Sequence, residues 1–215
     1  MIASPADGQN RGRVTLPGHI TYAVRMARWE PNARERLVRA ALDLFTEQGY
    51  DATTVNEIAE RAGLTKTTFF RHFPDKREVL FSGQELHSRL LAEGVAAAPD
   101  SATPLEAVGN ALDALAGSFP DERRDIAVRL RVVVAATPEL QERAASKHSG
   151  LAGALTDALG KRGVPELTAG LAAELGARAF DRAFVQWADP STPQPLTELA
   201  RRALDELRAA AAGLE

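Results

Sequence analysis

The chain has 215 residues, 45% hydrophobic and 26% charged, with a formal net charge of −3, which allows one or two domains with a buried core. The absence of cysteine excludes disulfides, catalytic thiolates, cysteine-based zinc sites and thiol redox sensing. No apolar run is long enough to cross a bilayer, and the polar N-terminus lacks the apolar core of a signal peptide, so we expect a cytoplasmic protein that does not bind membranes.

Positive charge is concentrated in the first part of the chain, although the net charge is negative. Seven arginines precede or open the first predicted helix, and the acidic excess lies in the second half. Five more basic residues follow within a short stretch: Arg61, Lys66, Arg71, Lys76 and Arg77. Affinity for a polyanion depends on a local cationic surface, so nucleic acid is a candidate partner. The alternative is that these side chains are only solvated.

Three capping boxes predict where helices begin in the first hundred residues. In this motif an N-cap side chain and a Glu three residues later bind each other's backbone N–H groups. The pairs are Asn32 with Glu35, Thr54 with Glu57, and Asp75 with Glu78. Gly49 and Gly63 are typical residues at helix ends, Thr65 is a further N-cap, and Pro74 terminates that helix. The last box is expected to begin a long helix over residues 75–97.

The rest of the chain also predicts helices. They are expected over residues 104–117, 121–136, 138–161, 165–188 and 195–212, with turn sequences between them. Alternating strand patterns and internal repeats are absent from the sequence. We therefore predict an all-α protein with about nine helices.

The two short helices before residue 74 have the spacing of a helix-turn-helix, whose second helix enters the DNA major groove. Apolar residues recur on one face of the first of them: Val55, Ile58, Ala59 and Ala62. Gly63 makes the turn, and Phe69 and Phe73 return to the same core because they point within ~40° of one another. Phe70 is then an exposed aromatic on a cationic helix.

The stretch "DLFTEQGYDATTVNEIAERAGLTKTTFFRHFPDK" resembles the DNA-binding domain of TetR-family transcriptional regulators. The resemblance covers residues 30–81, and the rest of the chain is similar only in length and helical character. It implies a homodimer that binds double-stranded DNA at a palindromic operator and a small-molecule effector, without a cofactor. Residues 29–80 would be the helix-turn-helix domain, joined by the long helix to an effector-binding and dimerisation domain at 81–215.

Local chemistry and the resemblance together assign DNA contacts to nine residues, with Thr54 and Thr65 assigned from their places at helix N-termini. Those at positions that bind the phosphate backbone are Thr54, Thr65, Thr68, Arg71, His72 and Lys76, and those at positions that meet base edges are Lys66, Thr67 and Phe70. The free N–H groups at a helix N-terminus also favour a phosphate near the two N-cap threonines. The plainer interpretations are capping for the threonines, local packing for His72, and solvation for Arg71 and Lys76. The family usually has tyrosine in place of Phe70 and commonly glycine in place of Thr67, which leaves the operator sequence open.

Residues 1–28 are predicted to be an N-terminal extension. Arg11 and Arg13 could follow the minor groove as an arm, or residues 1–25 could be disordered sequence upstream of the natural start. We favour disorder.

The last two helices are expected to pair with their symmetry mates in a four-helix interface. Helix 165–188 has a leucine stripe (Leu167, Leu171 and Leu175), assigned to the chain's own core, and a stripe of small residues, assigned to the partner. The predicted interface residues are Ala172, Gly176, Ala179, Phe180, Ala183, Leu196, Leu199, Ala203 and Leu207. The alternative is a larger monomeric core.

Arg129, His148 and Trp187 are candidates for an effector pocket, although a histidine on an apolar stripe is more often part of a hydrogen-bonded core. No catalytic function is expected, since the four histidines lack metal-pair spacing and no nucleophile or phosphate-binding motif occurs. The predicted function is a DNA-binding regulator, released from its operator when an effector shifts helix 75–97. The alternatives are a helical small-molecule carrier or adaptor without DNA binding, and an enzyme with an unrecognised site.

Overall fold

The computed structural model describes residues 33–81 and 83–214, which form helices joined by turns and contain no strand. The helices are α1 (Ala33–Gln48), α2 (Val55–Arg61), α3 (Lys66–His72), α4 (Glu78–Phe81), α5 (Gln84–Ala96), α6 (Pro104–Ala116), α7 (Arg124–Ala136), α8 (Pro138–Lys161), α9 (Glu166–Trp187) and α10 (Leu196–Ala212). One turn of 3₁₀-helix, Asp121–Arg123, precedes α7. The predicted all-α fold is confirmed for these residues. None of the helices described combines the length and the apolar character that a membrane span requires.

Local capping signals determine the ends of the short helices, as predicted. Thr54 and Glu57 form the complete capping box at the start of α2. Thr65 caps α3 by accepting a hydrogen bond from the Thr68 N–H at 3.1 Å. The predicted N-cap Asn32 and the N-terminal extension, residues 1–28, lie outside the described residues.

The long helix predicted over residues 75–97 is instead two helices, α4 and α5. Gly83 precedes α5 with φ 100°, a left-handed conformation that interrupts a right-handed helix. Asp75 accepts from the Glu78 N–H at 2.9 Å. The Glu78 carboxylate, however, binds Arg143 of α8, with the second of the two contacts at 3.0 Å, so the third capping box is only half formed. The prediction of one continuous helix from head to body was therefore wrong.

Two apolar cores organise the fold. We call α1–α4 the head and α5–α10 the body. The head core is built from α1–α4 and is completed by Val133 of α7 and Leu140 of α8, both buried. The body core is built from α5–α10, with Trp187 as its largest fully buried side chain. Because two body helices contribute to the head core, the head is packed directly on α7 and on the first turn of α8.

The small-residue face of α9 points into the chain's own core, which corrects the predicted dimer interface. A β-carbon at Gly176 would lie 2.5 Å from Cγ1 of Val108 on α6. The predicted interface residues are buried within the chain, apart from half-buried Leu207: Ala172, Gly176, Ala179, Phe180, Ala183, Leu196, Leu199 and Ala203. Leu167 and Leu171, predicted to be core, are 78% and 61% exposed. Both stripes are apolar, so the periodicity does not distinguish them. The small-residue stripe is the inner one because neighbouring helices come close to α9 on that side.

The backbones of α5 and α6 come into close contact at Gly94. A β-carbon there would lie 2.5 Å from the Cα atom of Ala111 and 2.9 Å from the carbonyl oxygen of Asn110. Both neighbours are backbone atoms, so no side-chain rotation could make room. Gly94 thus permits direct main-chain contact between the two helices.

Candidate nucleic-acid interface

The helix-turn-helix is formed by α2 and α3. Ile58 of α2 and Phe69 of α3 are fully buried in the head core, and Phe73 at the end of α3 is almost as completely enclosed. The rings of Phe69 and Phe73 lie 5.5 Å apart, within the range of favourable aromatic pairs. These inward side chains fix the rotation of α3 about its axis, and therefore which residues it presents outward.

The outer face of α3 presents an aromatic ring between charged and polar side chains. Phe70 is 49% exposed, whereas its neighbour Phe69 is fully buried. The two rings meet edge to face at 5.5 Å, so Phe70 is supported from below. Lys66, Thr67 and Arg71 are exposed beside it. The predicted outward orientation of Phe70 is confirmed, and its contact with DNA stays a prediction.

The α3 helix carries positive charge that no ion pair of the described residues neutralises. Among the described residues, neither Lys66 nor Arg71 has a hydrogen-bond or ion-pair partner. Arg61, in contrast, binds both carboxylate oxygens of Glu47, at 2.9 and 2.7 Å. The cationic surface is therefore narrower than the run of basic residues in the sequence indicates.

Lys76 is held inside the head. Its ammonium group donates to the carbonyl oxygens of Tyr50 at 2.6 Å and Thr53 at 3.0 Å. It also lies 4.0 Å from the centroid of the Tyr50 ring, a cation–π contact. These contacts brace the loop between α1 and α2, which positions the start of α2. Lys76 is thus a structural residue here, and a contact with phosphate stays a prediction.

His72 has a partly buried ring at the end of α3. Its Nε2 atom is buried and has no hydrogen-bond partner among the described residues. Burial, with smaller contributions from Arg71 and Arg34, lowers the pKa of His72 below its ordinary value. The ring is therefore neutral near pH 7, which weakens the case for a charged contact with phosphate.

The N-termini of α2 and α3 differ in what they offer an anion. The Glu57 carboxylate accepts from the Thr54 N–H at 2.7 Å, so a negative charge already occupies the start of α2. Hydrogen bonds from Thr54 lower the pKa of Glu57. The first turn of α3 contains no acidic residue, and the Thr65 and Thr68 hydroxyls lie 3.0 Å apart. The start of α3 is therefore the better position for a phosphate.

The three effector candidates do not come together. Arg129 binds α1, His148 binds α9, and Trp187 binds the 3₁₀ turn before α7. Their partners are Asp43 at 2.5 Å for Arg129, Asp181 at 2.5 Å and Glu174 at 3.3 Å for His148, and Asp121 at 3.1 Å for Trp187. A common pocket formed by these three side chains is thus not what the structure shows. Within the described residues, no group of three or more His, Cys, Asp or Glu side chains is placed to hold a metal ion.

The body interior contains a buried histidine that sequence reasoning did not select. His87 of α5 is 8% exposed and its ring lies 5.3 Å from Phe119. Phe119 in turn contacts three aromatic rings of α9: Phe180, Phe184 and Trp187. Burial lowers the pKa of His87 to about 4, so the ring is neutral near pH 7. The spacing of His87 with Leu91 and Val95, on one apolar stripe of α5, was the signal that could have identified it.

Two surface clefts occur outside this aromatic interior. One, about 380 Å³, lies where the loop after α1 meets the junction of α7 and α8. The other, about 360 Å³, lies between α5 and the end of α8. Neither cleft is lined by Arg129, His148 or Trp187.

Comparison with known proteins agrees with this geometry. Residues 37–82 match the family described as bacterial regulatory proteins, tetR family. The chain is 38% identical over 88 residues to the HTH-type transcriptional regulator TcmR of Streptomyces glaucescens, which covers 41% of this chain and 39% of that protein. It is 34% identical over 91 residues to the HTH-type transcriptional activator FasR of Mycolicibacterium smegmatis, and this match covers 42% of this chain and 36% of that protein. The chain thus spans less than two fifths of the length of these relatives.

A solved structure extends the likeness of fold to the body. The transcriptional regulator FadR from Bacillus subtilis, solved in complex with stearoyl-CoA, aligns with a TM-score of 0.53 and 21% identity. The alignment covers 80% of this chain and 96% of that one. At this identity the likeness concerns the fold alone. Residues 37–82 thus match the tetR family of bacterial regulatory proteins, and the described chain as a whole is similar in fold to a solved regulator.

Proposed function

We propose that the protein is a sequence-specific DNA-binding transcriptional regulator, a cytoplasmic repressor that binds a palindromic operator as a homodimer and is released by a small-molecule effector. The observation that carries the proposal is the outer face of α3. There Phe70 is 49% exposed between two cations that have no partner among the described residues, Lys66 and Arg71. An exposed aromatic ring and unpaired cations on a rigidly mounted helix suit the major groove.

The residues of α3 divide into two roles under this proposal. Arg71 binds the phosphate backbone, which fixes the position of the helix but reads no sequence. Lys66 donates to guanine, and the Thr67 methyl group or the Phe70 ring contacts a thymine methyl. Lys76 supports the head from inside, because its ammonium group is already bound to two backbone carbonyls.

The outer face of α9 is the proposed dimer surface. Leu167 and Leu171 lie one turn apart on that face and are 78% and 61% exposed. Large leucines in this position would be buried against the same face of a second chain, related by a two-fold axis. Residues 81–215 would then hold both the dimer surface and the effector site, and residues 29–80 the DNA-binding head.

Selection of bound duplexes from a random pool tests the function directly. A two-fold symmetric consensus, with half-sites about 10 base pairs or a multiple of that apart, is the expected result. A pool without any enriched sequence would contradict DNA-binding regulation, and together with a tightly retained small molecule it would favour a carrier.

A further inference from the structure

Charged residues of α1, of α7 and of the 3₁₀ turn that precedes α7 form a ladder of three ion pairs between the head and the body. The two helices run in the same direction, because the paired residues ascend together along both of them. The pairs are Glu35 with Arg123 at 3.4 Å, Arg39 with Asp125 at 2.8 Å, and Asp43 with Arg129 at 2.5 Å. Arg39 also binds Glu35 at 3.2 Å, which joins the first two pairs into one network. We call these six residues the α1–α7 ladder.

The signs of the ladder alternate along each helix. On α1 the order is acidic, basic, acidic, and on the α7 side it is basic, acidic, basic. Side chains of the ladder are 22–53% exposed, so each pair alone contributes little to stability. The alternation therefore matters more for the relative position of the helices than for the strength of their contact.

A displacement of one helical turn in either direction would bring like charges together. With α7 moved one turn toward the C-terminal end of α1, Arg123 would face Arg39 and Asp125 would face Asp43. A shift in the opposite direction also creates two like pairs, Asp125 with Glu35 and Arg129 with Arg39. Like charges placed opposite one another are destabilising, so the native register is distinguished from both neighbours.

The chain connection from α4 to α5 does not by itself fix the head, although Glu78 of α4 also binds Arg143 of α8. The α4 helix has only four residues, Glu78–Phe81, and Gly83 interrupts the chain before α5 with φ 100°. The packing of Val133 of α7 in the head core adds apolar contact at the ladder side. Close packing of this kind opposes any displacement, and the alternating charges add a preference for one register over its neighbours.

We propose that the α1–α7 ladder sets the register of the DNA-binding head on the body, so that its six members are positioning residues for the head. The proposal does not depend on DNA binding, because it concerns the position of α1 relative to α7 in the free protein. A slip of one turn would move the head by ~5 Å along α7, enough to misplace α3.

A charge swap separates register from stability. Arg39→Glu alone removes two attractive pairs, with Asp125 and with Glu35, and places a carboxylate opposite that of Asp125. The double variant Arg39→Glu with Asp125→Arg restores three attractive pairs, but makes α1 acidic and the α7 side basic at all three positions. In that variant a slip of one turn brings no like charges together and keeps two of the three attractive pairs, so stability should largely recover while the native register is favoured by only one pair.

Spin-label distances can detect the difference, since the chain has no native cysteine. Labels are placed at Glu60→Cys on α2 and Val132→Cys on α7, both exposed, and labelled chain is diluted into excess unlabelled chain. The parent should give one distance, and both Arg39→Glu and the double variant should add a second population offset by ~5 Å. The double variant should melt within about 2 °C of the parent, although its register is mixed.

A matched swap at another exposed ion pair serves as the control. Arg201 of α10 binds both carboxylate oxygens of Asp113 on α6, at 2.7 and 2.6 Å. Arg201→Glu with Asp113→Arg should leave the distance between the labels unchanged. A single narrow distance in the Arg39→Glu, Asp125→Arg variant, equal to that of the parent, would overturn the proposal and leave the ladder as a contributor to stability only.

Discussion

The ammonium group of Lys76 lies over the ring of Tyr50 at 4.0 Å and donates to the carbonyl oxygen of the same residue at 2.6 Å. Lys76→Met should therefore destabilise the protein by about 1–3 kcal/mol, because the carbonyl oxygens of Tyr50 and Thr53 lose a charged hydrogen-bond donor. Urea unfolding measures the change, and Lys66→Met, which removes a lysine without a described partner, should shift the free energy of unfolding by less than about 0.5 kcal/mol. Equal effects for the two variants would argue against a structural role for Lys76.

Arg71 and Lys66 should differ in how their loss affects DNA binding. Arg71→Ala should weaken binding to all duplexes and reduce the slope of log K against log salt by about 0.9, the contribution of one phosphate contact. Lys66→Ala should instead alter preference at one base pair, by about 1–3 kcal/mol. Binding titrations over a salt series measure both effects. Arg89→Ala, on the exposed side of α5, removes the same charge as Arg71→Ala and should change neither property.

The exposed leucines of α9 predict the oligomeric state of a variant. Leu171→Glu places a charge on the proposed dimer surface, where its burial against a second chain would be unfavourable. Sedimentation velocity should then show a monomer at concentrations where the parent is a dimer. Val132→Glu, at a 62% exposed position on α7, is the matched control and should leave the dimer intact. A dimeric Leu171→Glu protein would move the interface to another surface.

The protein should lose stability in acid because the buried ring of His87 resists protonation. The pKa of His87 is about 4 in the folded protein, below the unfolded value of 6.5, so the unfolded chain binds more protons between these values. The contribution of His87 to stability is therefore complete above pH 6.5 and declines as the pH falls toward 4, by about 3 kcal/mol in total. His87→Leu should flatten the dependence of the melting temperature on pH across this window. An unchanged slope would mean that the ring accepts a proton in the folded state without cost.

Features set by local sequence could be predicted, and those set by distant partners could not. The Thr54–Glu57 box and the outward direction of Phe70 depend on residues within one or two turns, and both are present. The break before α5 was missed because the sequence does not show that Gly83 adopts a left-handed φ of 100°. The third capping box is incomplete because Glu78 has its partner on α8, at Arg143, 65 residues away. Lys76 was assigned to DNA from its place in a motif, whereas its position inside the head depends on carbonyls 23 and 26 residues earlier.

The rotation of α9 about its own axis could not be predicted from the sequence, for a different reason. Both of its stripes are apolar, so the hydrophobic pattern alone is satisfied by either orientation. Burial of the small-residue stripe follows from its neighbours, such as Val108 of α6, which no spacing within α9 reveals. Sequence periodicity therefore predicted that α9 is covered on two sides, but not which side faces the chain's own core.

The main-chain contact at Gly94 has a consequence for how the body could accommodate a guest molecule. A wall made of two touching backbones has no side chains to rotate aside, so α5 and α6 would have to separate as rigid rods to admit anything between them. Walls formed by long side chains, such as the aromatic rings facing α9, can instead yield by changing rotamers. If the body bound a small molecule in its interior, α5 and α6 would therefore stay in contact, and the aromatic side chains on the other side would move.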